Sequence, residues 1–399
     1  MKKPAIDPLS SKLFTVSFFQ GIGVGIWTFL SIFMLDLGGT GLHVGLLAFI
    51  PGLASTFMQM AWGRLGDRIG YSWRTVSMGF LVTSILSIPV LMSTRPWQLI
   101  LASSFQALVG SMLEVATTVR FAEVLEPSKR ARFMGIYNPL GFAGNICGSF
   151  AAGLLIPSIG YQYTFLGYTL MNLLVFLLIM NTLSSPSDSK YSFISLLRMA
   201  FAELKSSLGN LPLVFKEGGA YTNWCVGMSV RGFGIAMFGP VLTIYLVNIL
   251  KATKPQIGAF NSIAFAMRLA GGPPLGVVVD KYGPKRVMMI GVFLAFLHPL
   301  VFMVVPEVAY LIPVYALSGL YWAFINSSWF AWQMNLIPKR RGLYTGVLGF
   351  INGLSWAFGP LVGGFLGDNV SLMISAVISA CLILAGLILV SKVPENSQT

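Results

Sequence analysis

Twelve stretches of about twenty mostly apolar residues, separated by short basic or turn-forming connections, limit what this chain can fold into more than any motif does. In hydrocarbon every backbone N–H and C=O must be paired internally, and a helix needs about 20 apolar residues to cross it. The stretches run over approximately 13–36, 42–62, 73–93, 97–119, 132–156, 161–183, 219–249, 255–279, 286–305, 309–335, 343–366 and 371–391. Only 10% of the 399 residues are charged, while 55% are hydrophobic, against about 25% charged in a soluble domain. The expected fold is therefore an all-α integral membrane protein with 12 transmembrane helices. The first stretch is too long for a signal peptide and lacks a small-residue cleavage site, so it is expected to be retained.

A net charge of +13 raises the question of nucleic acid. The cations are instead scattered among short loops, which excludes that partner. Placing the N-terminus inside collects Lys2, Lys3, Lys12, Arg64, Arg68, Arg74, Lys129, Arg130, Arg132, Lys281, Lys285, Arg286, Lys339, Arg340, Arg341 and Lys392 on the inner side. Only Arg95, Lys251 and Lys254 fall outside. The positive-inside rule then predicts a multi-pass protein of the cytoplasmic (cell inner) membrane with both termini cytoplasmic.

Two loops repeat. Gly63-Arg64-Leu65-Gly66-Asp67-Arg68-Ile69-Gly70 is matched about 213 positions later by Gly276-Val277-Val278-Val279-Asp280-Lys281-Tyr282-Gly283, and basic residues follow each: Arg74 after the first, Lys285 and Arg286 after the second. Pro127-Ser128-Lys129-Arg130 before Gly135 parallels Pro338-Lys339-Arg340-Arg341 before Gly346. Gly148 and Gly153 correspond to Gly359 and Gly364 at an offset of about 211. A repeat of half the chain means a duplicated unit rather than a solenoid, and duplicated membrane bundles are a transporter architecture.

These loops resemble the conserved cytoplasmic loop of the major facilitator superfamily. The matching residues are Gly63, Leu65, Asp67, Arg68 and Gly70 in one half, and Gly276, Asp280, Lys281, Gly283, Lys285 and Arg286 in the other. The resemblance covers essentially the whole chain. It implies two pseudo-symmetric six-helix halves, 1–183 and 219–399, around a central cavity. It also implies that Asp67 and Asp280 latch the cytoplasmic seam, with Gly63, Arg68, Gly70, Arg74, Gly276, Lys281, Gly283 and Arg286 completing the gate. Plain positive-inside charge is the simpler reading of the same residues. The superfamily's members mostly act as monomers, which is the expectation here.

Two segments depart from the pattern of the drug/proton antiporters. In span 4, Ser103 and Ala107 stand where those proteins carry Arg and Gly around Gln106. In span 5, Gly148-Ser149-Phe150-Ala151-Ala152-Gly153 lacks the proline that Gly359-Pro360-Leu361-Val362-Gly363-Gly364 keeps in span 11.

Residues 184–218 are the one long connection. Ser184-Ser185-Pro186-Ser187-Asp188 reads as a linker. Phe193, Leu197, Ala200, Phe201, Leu204 and Leu208 then recur at helical spacing, which predicts an amphipathic helix on the inner membrane surface that tethers the halves.

An ionisable residue at membrane depth is costly and is a functional candidate by default. Glu114, Arg231 and Arg268 are the three away from span ends. The arginines hold their charge and suit carboxylate or phosphate; the alternative is that one or both neutralise Glu114 or bind carbonyls at a broken helix. Glu114 itself is either a proton-coupling group or that static partner. Trp27 and Gln106, with Trp322, Asn326 and Trp329 on one face of span 10, complete the expected substrate lining; an apolar, aromatic surface with a few polar anchors suits an organic solute. Asp36, at the end of span 1, reads as loop-exposed.

No phosphate-binding loop, catalytic triad or metal-ligand spacing is found. Cys147, Cys225 and Cys381 all fall inside spans, and His43 and His298 are isolated. No enzyme, cofactor or metal is expected. The leading function is alternating-access secondary transport of a small organic solute, leaning anionic, with protons and membrane lipids as the other partners. A proton-coupled multidrug exporter and a lipid or lysolipid flippase are the alternatives.

Overall fold

The computed structural model describes residues 8–125, 127–182, 191–208, 219–336 and 341–395. Residues 184–188, Lys2, Lys3 and Pro338-Lys339-Arg340 lie outside the described residues, as do the side chains of Lys129, Arg130, Arg132 and Arg341. The elements are α1 (Pro8–Trp27), α2 (Leu30–Asp36), α3 (Gly41–Ile69), α4 (Trp73–Leu91), α5 (Pro96–Val124), α6 (Pro127–Thr182), α7 (Phe193–Leu208), α8 (Gly219–Ile244), α9 (Lys254–Tyr282), α10 (Pro284–Met303), α11 (Leu311–Leu336), α12 (Arg341–Asn369) and α13 (Leu372–Ser391). Among the described residues there is no strand.

These helices account for twelve crossings. α1 and α2 form one apolar stretch, Ser10–Asp36. α6 carries the 49-residue stretch Phe133–Asn181, more than twice what one crossing needs, and it bends at Gly160, where φ is 80°. α12 spans 29 residues. Several helices outrun their expected ends: α3 reaches Ile69 rather than residue 62, and α9 reaches Tyr282 rather than residue 279. Charge ends an apolar window, but helical hydrogen bonding continues past the bilayer edge.

α1 packs on α6, α3 on α5, and α4 on α5 and α6; in parallel, α8 packs on α12 and α13, α11 on α9 and α10, and α10 on α13. Small residues set these contacts, because close backbone approach is what holds helices together in lipid. A methyl group added at Gly148 would strike the Ile22 carbonyl, and one at Gly359 would strike the Phe233 carbonyl. The two contacts are the same contact, repeated about 211 positions along the chain.

The two bundles meet along two seams, α3 with α12 and α6 with α9. Gly364 lies on the Gly41 carbonyl and the Gly45 amide, while Gly153 lies on the Lys254 carbonyl and Gly258. Both seams are thus tight at the end of the bundle that carries Asp36. At the opposite end, which carries Asp67, a methyl added at Gly63, Gly135, Gly276 or Gly349 would meet nothing within 4 Å. The bundle is closed at the Asp36 end and parted at the Asp67 end.

α7, the expected amphipathic helix, packs against the bundle at the Asp67 end of α3. Leu196 and Ala200 are buried against Met58, Ala61, Trp62 and Leu65 of α3 and Met112 of α5. Phe201, expected on the apolar stripe, points outward and is 48% exposed. The helix therefore buries one apolar face beside α3.

Candidate functional site

A cavity of about 650 Å³ opens in the N-terminal bundle. α1 contributes Gln20 and Trp27, α5 contributes Ser103, Gln106 and Glu114, and α6 contributes Tyr137, Asn138, Tyr168 and Asn172. Trp27 lies on Tyr168 with ring centroids 4.4 Å apart, and Gln106 Nε2 donates to the Tyr168 hydroxyl at 3.3 Å. Glu114 is exposed to this space and accepts a hydrogen bond from Gln59 Nε2 at 3.0 Å. Neither arginine is its partner: among the described residues no ion pair joins Glu114 to Arg231 or Arg268.

The arginines lie in the C-terminal bundle. Arg231, on α8, is 2% exposed and packs against Gly386 of α13. Its guanidinium carbon sits 5.3 Å from the centroid of the Trp329 ring. Arg268, on α9, sits between Phe265 at 5.3 Å and Trp322 at 5.0 Å, and Trp322 lies 5.8 Å from Trp356. Tyr321 is within electrostatic reach of both guanidinium groups. Nε and Nη1 of Arg231 and Nε of Arg268 are buried without a hydrogen-bond partner, as is the amide oxygen of Asn352.

Magnitudes decide what such a cluster means. A buried ion left unpaired costs several kcal/mol. A desolvated cation–π contact returns only about 2 kcal/mol. The cation–π contacts alone therefore leave the buried charge undercompensated. Asn326 is exposed on α11, in line with Trp322 and Trp329, so the expected face of span 10 remains polar where it is open.

A second cavity, of about 390 Å³, lies between the bundles. It is walled by Thr28, Ser31, Ala48, Asn261, Tyr315, Trp356 and Pro360 among mostly apolar neighbours. Here the first crossing breaks between Trp27 and Leu30. Thr28 Oγ1 donates to the Gly25 carbonyl at 2.7 Å, meets Ser149 Oγ at 3.3 Å, and accepts from Asn261 Nδ2 at 3.3 Å. Non-helical backbone at membrane depth persists only where such partners or a cavity satisfy it.

The repeated loops end α3 and α9 at Gly70 and Gly283, whose φ values are 69° and 84°; a side chain there would be strained. Asp67, Asp280, Lys281 and Arg286 are exposed. Arg68 pairs with Glu203 of α7 at 3.1 Å rather than with Asp67, and Arg74 keeps a buried Nε without a partner. The Tyr71 hydroxyl donates to the Trp62 carbonyl at 2.6 Å. Burial raises the Tyr71 phenol above its ordinary range, and the charge of Asp67 adds to the shift. Asp36, expected to be loop-exposed, is exposed at the end of α2 and accepts from Lys254 and from the Tyr161 hydroxyl, each at 2.9 Å.

Sequence reasoning missed Gln59, Tyr137, Tyr168, Asn172 and Tyr321. Tyr168 and Asn172 stand four apart in span 6, a polar pair on one helical face that marks a lining surface. Gln59 follows Ser55 and Thr56 at helical spacing, a weaker signal of the same kind.

Comparison with known proteins bears on this arrangement. The sequence profile of the Major Facilitator Superfamily matches residues 13–215 and 224–399. An uncharacterised MFS-type transporter of Methanocaldococcus jannaschii, MJ1560, is 31% identical over 137 residues, 34% of this chain and 35% of that protein. The multidrug resistance protein MdtG of Serratia proteamaculans is 25% identical over 335 residues, 81% of this chain and 72% of its own length. The chain thus spans about a third of the first relative and about three quarters of the second. Crystal structures of the nucleoside transporter NupG and of a POT family transporter in complex with 5-aminolevulinic acid share the fold. TM-scores are 0.70 and 0.75 at 15% and 14% identity, covering 96% of this chain in both cases and 98% and 96% of theirs.

Proposed function

This chain belongs to the Major Facilitator Superfamily, a transporter rather than an enzyme, and on that premise we propose that it moves a small organic solute bearing an anionic group by alternating access. The observation that carries the reading is the pair Arg231 and Arg268, whose buried N–H donors have no partner and whose cationic faces rest on Trp329 and Trp322. Planar guanidinium groups match carboxylate or phosphate oxygens in a way that a lone lysine does not. The solute's apolar body then lies against Trp27, Trp322 and Trp329, and Gln106 and Asn326 offer hydrogen bonds.

The two bundles are the moving halves, residues 1–183 and 219–399, joined by 184–218. With the basic Asp67 end in the cytoplasm, the conformation is inward-open, and its exposed Asp67 and Asp280 are gate carboxylates in the released state. Glu114 faces the cavity with one neutral partner, Gln59, so it is free to take up and release a proton as the halves rock. The chain acts as a monomer.

Similarity to MdtG, together with a carboxylate in an aromatic-lined cavity, supports a second reading: export of lipophilic cations that Glu114 attracts. Flux into proteoliposomes separates the two. Labelled aromatic carboxylates and lipophilic cations are offered in turn under an imposed proton gradient. Saturable, gradient-dependent movement of the carboxylates is the expected result; movement of the cations alone favours the exporter.

A further inference from the structure

We propose that Asp368 and the Asp36–Lys254 pair are two latches, one on each seam, that hold the Asp36 end of the transporter shut. The carboxylate of Asp368, at the end of α12, accepts from the backbone N–H groups of Gly41 at 2.8 Å and Leu42 at 2.7 Å. Those are orphan donors at the first turn of α3, so one bundle caps a helix of the other. On the second seam, Lys254 of α9 reaches Asp36 of α2 at 2.9 Å, and Tyr161 of α6 steadies the same oxygen at 2.9 Å.

The pseudo-symmetry of the chain ties the two together. Gly41 and Lys254 are equivalent positions about 213 residues apart, and their carbonyls are the ones on which Gly364 and Gly153 lie. Each seam therefore places a carboxylate contact at the same point, by different chemistry: a helix cap on one side and an ion pair on the other. Asp368 also continues the α12 stripe Gly353, Ala357, Pro360 and Gly364, which faces Thr56, Gly52, Gly45 and Gly41 of α3, at helical spacing.

Exposed ion pairs contribute little to folding. Contacts that straddle moving halves act differently: they exist in one end state only, so even a modest energy shifts the ratio of states. That difference makes the proposal testable. It rests on alternating access but on no particular solute.

The test places one cysteine at Ala48, in the cavity beneath the closed seams, or at Thr117, in the cavity open towards the Asp67 end. Cys147, Cys225 and Cys381 are replaced. Full-length protein in membranes is labelled with a membrane-impermeant maleimide from either side. In Asp368→Ala and Lys254→Gln, Ala48→Cys is expected to react several-fold faster from the Asp36 side and Thr117→Cys correspondingly more slowly from the other. Asp368→Asn, which keeps one acceptor, is expected to fall between, and Asn369→Ala to match the parent. If Asp368→Ala does not fold, Asp368→Asn and Lys254→Gln carry the same readout. Folded variants that lose melting temperature while both labelling rates stay at parent values make Asp368 a mere helix cap and overturn the proposal. Should Ala48→Cys stay unreactive even during turnover, alternating access itself fails.

Discussion

Glu114 accepts its hydrogen bond from Gln59, at 3.0 Å, and not from either arginine. A carboxylate held by a neutral amide changes protonation without abandoning a charged partner, which is what a coupling group needs and a structural ion pair forbids. The Glu114→Gln variant should keep the contact to Gln59, whose amide then donates to the new side-chain carbonyl. Solute exchange across proteoliposomes should persist, while accumulation driven by a pH gradient is lost. Unchanged gradient-driven accumulation would remove Glu114 from coupling.

The repeated glycine contacts should be intolerant of a methyl group where they are tight and indifferent where they are open. Gly148→Ala drives Cβ into the Ile22 carbonyl, and overpacking of this kind typically costs about 1–3 kcal/mol. Its melting temperature in detergent should fall clearly. Gly135→Ala meets nothing within 4 Å and should be neutral or slightly stabilised, since alanine is a better helix residue than glycine.

Gly63 and Gly276 pose a sharper case. Neither would have a contact for a new methyl group in this conformation, so Gly63→Ala should leave the melting temperature unchanged or slightly raised. Closing the Asp67 end brings those surfaces together, and transport should slow. Equal transport by Gly63→Ala and the parent, measured as initial flux, would mean that the seam does not close there.

α7 is held by its apolar face and not by its ion pair. Arg68 is 74% exposed and Glu203 22% exposed, and such a pair is worth about 1 kcal/mol at most. Leu196 is 2% exposed, and truncating a buried leucine costs about 2–5 kcal/mol. Limited proteolysis around residues 191–208 should accelerate strongly in Leu196→Ala and hardly at all in Arg68→Gln.

Much of the architecture is legible in the sequence, because lipid leaves a chain few choices. Apolar length gives the crossings, and the duplicated Gly148 and Gly359 pack identically because they came from one unit. The fine structure of the site is less legible. The spacing of Trp322, Asn326 and Trp329 marks a face of span 10, but nothing in a helical wheel says that Trp329 lies over Arg231, a residue from span 7. Asp36 reads as loop-exposed, and nothing in the sequence points to its partner Lys254, which lies 218 positions away. Phe201 follows the apolar period yet faces outward, because in a membrane protein an apolar side chain has two favourable destinations, the bundle and the lipid.

The central claim is that Arg231 and Arg268 hold an anionic group of the solute, and melting of the purified protein in the presence of ligand tests it most directly. A ligand stabilises the folded state according to its concentration over its dissociation constant. Organic anions, lipophilic cations, sugars and lysolipids are compared on the parent, Arg231→Ala and Arg268→Ala. Stabilisation of the parent by a subset of the anions, lost in at least one arginine variant that still folds, is the predicted result. Stabilisation of all three proteins alike by lipophilic cations, with none by anions, contradicts it.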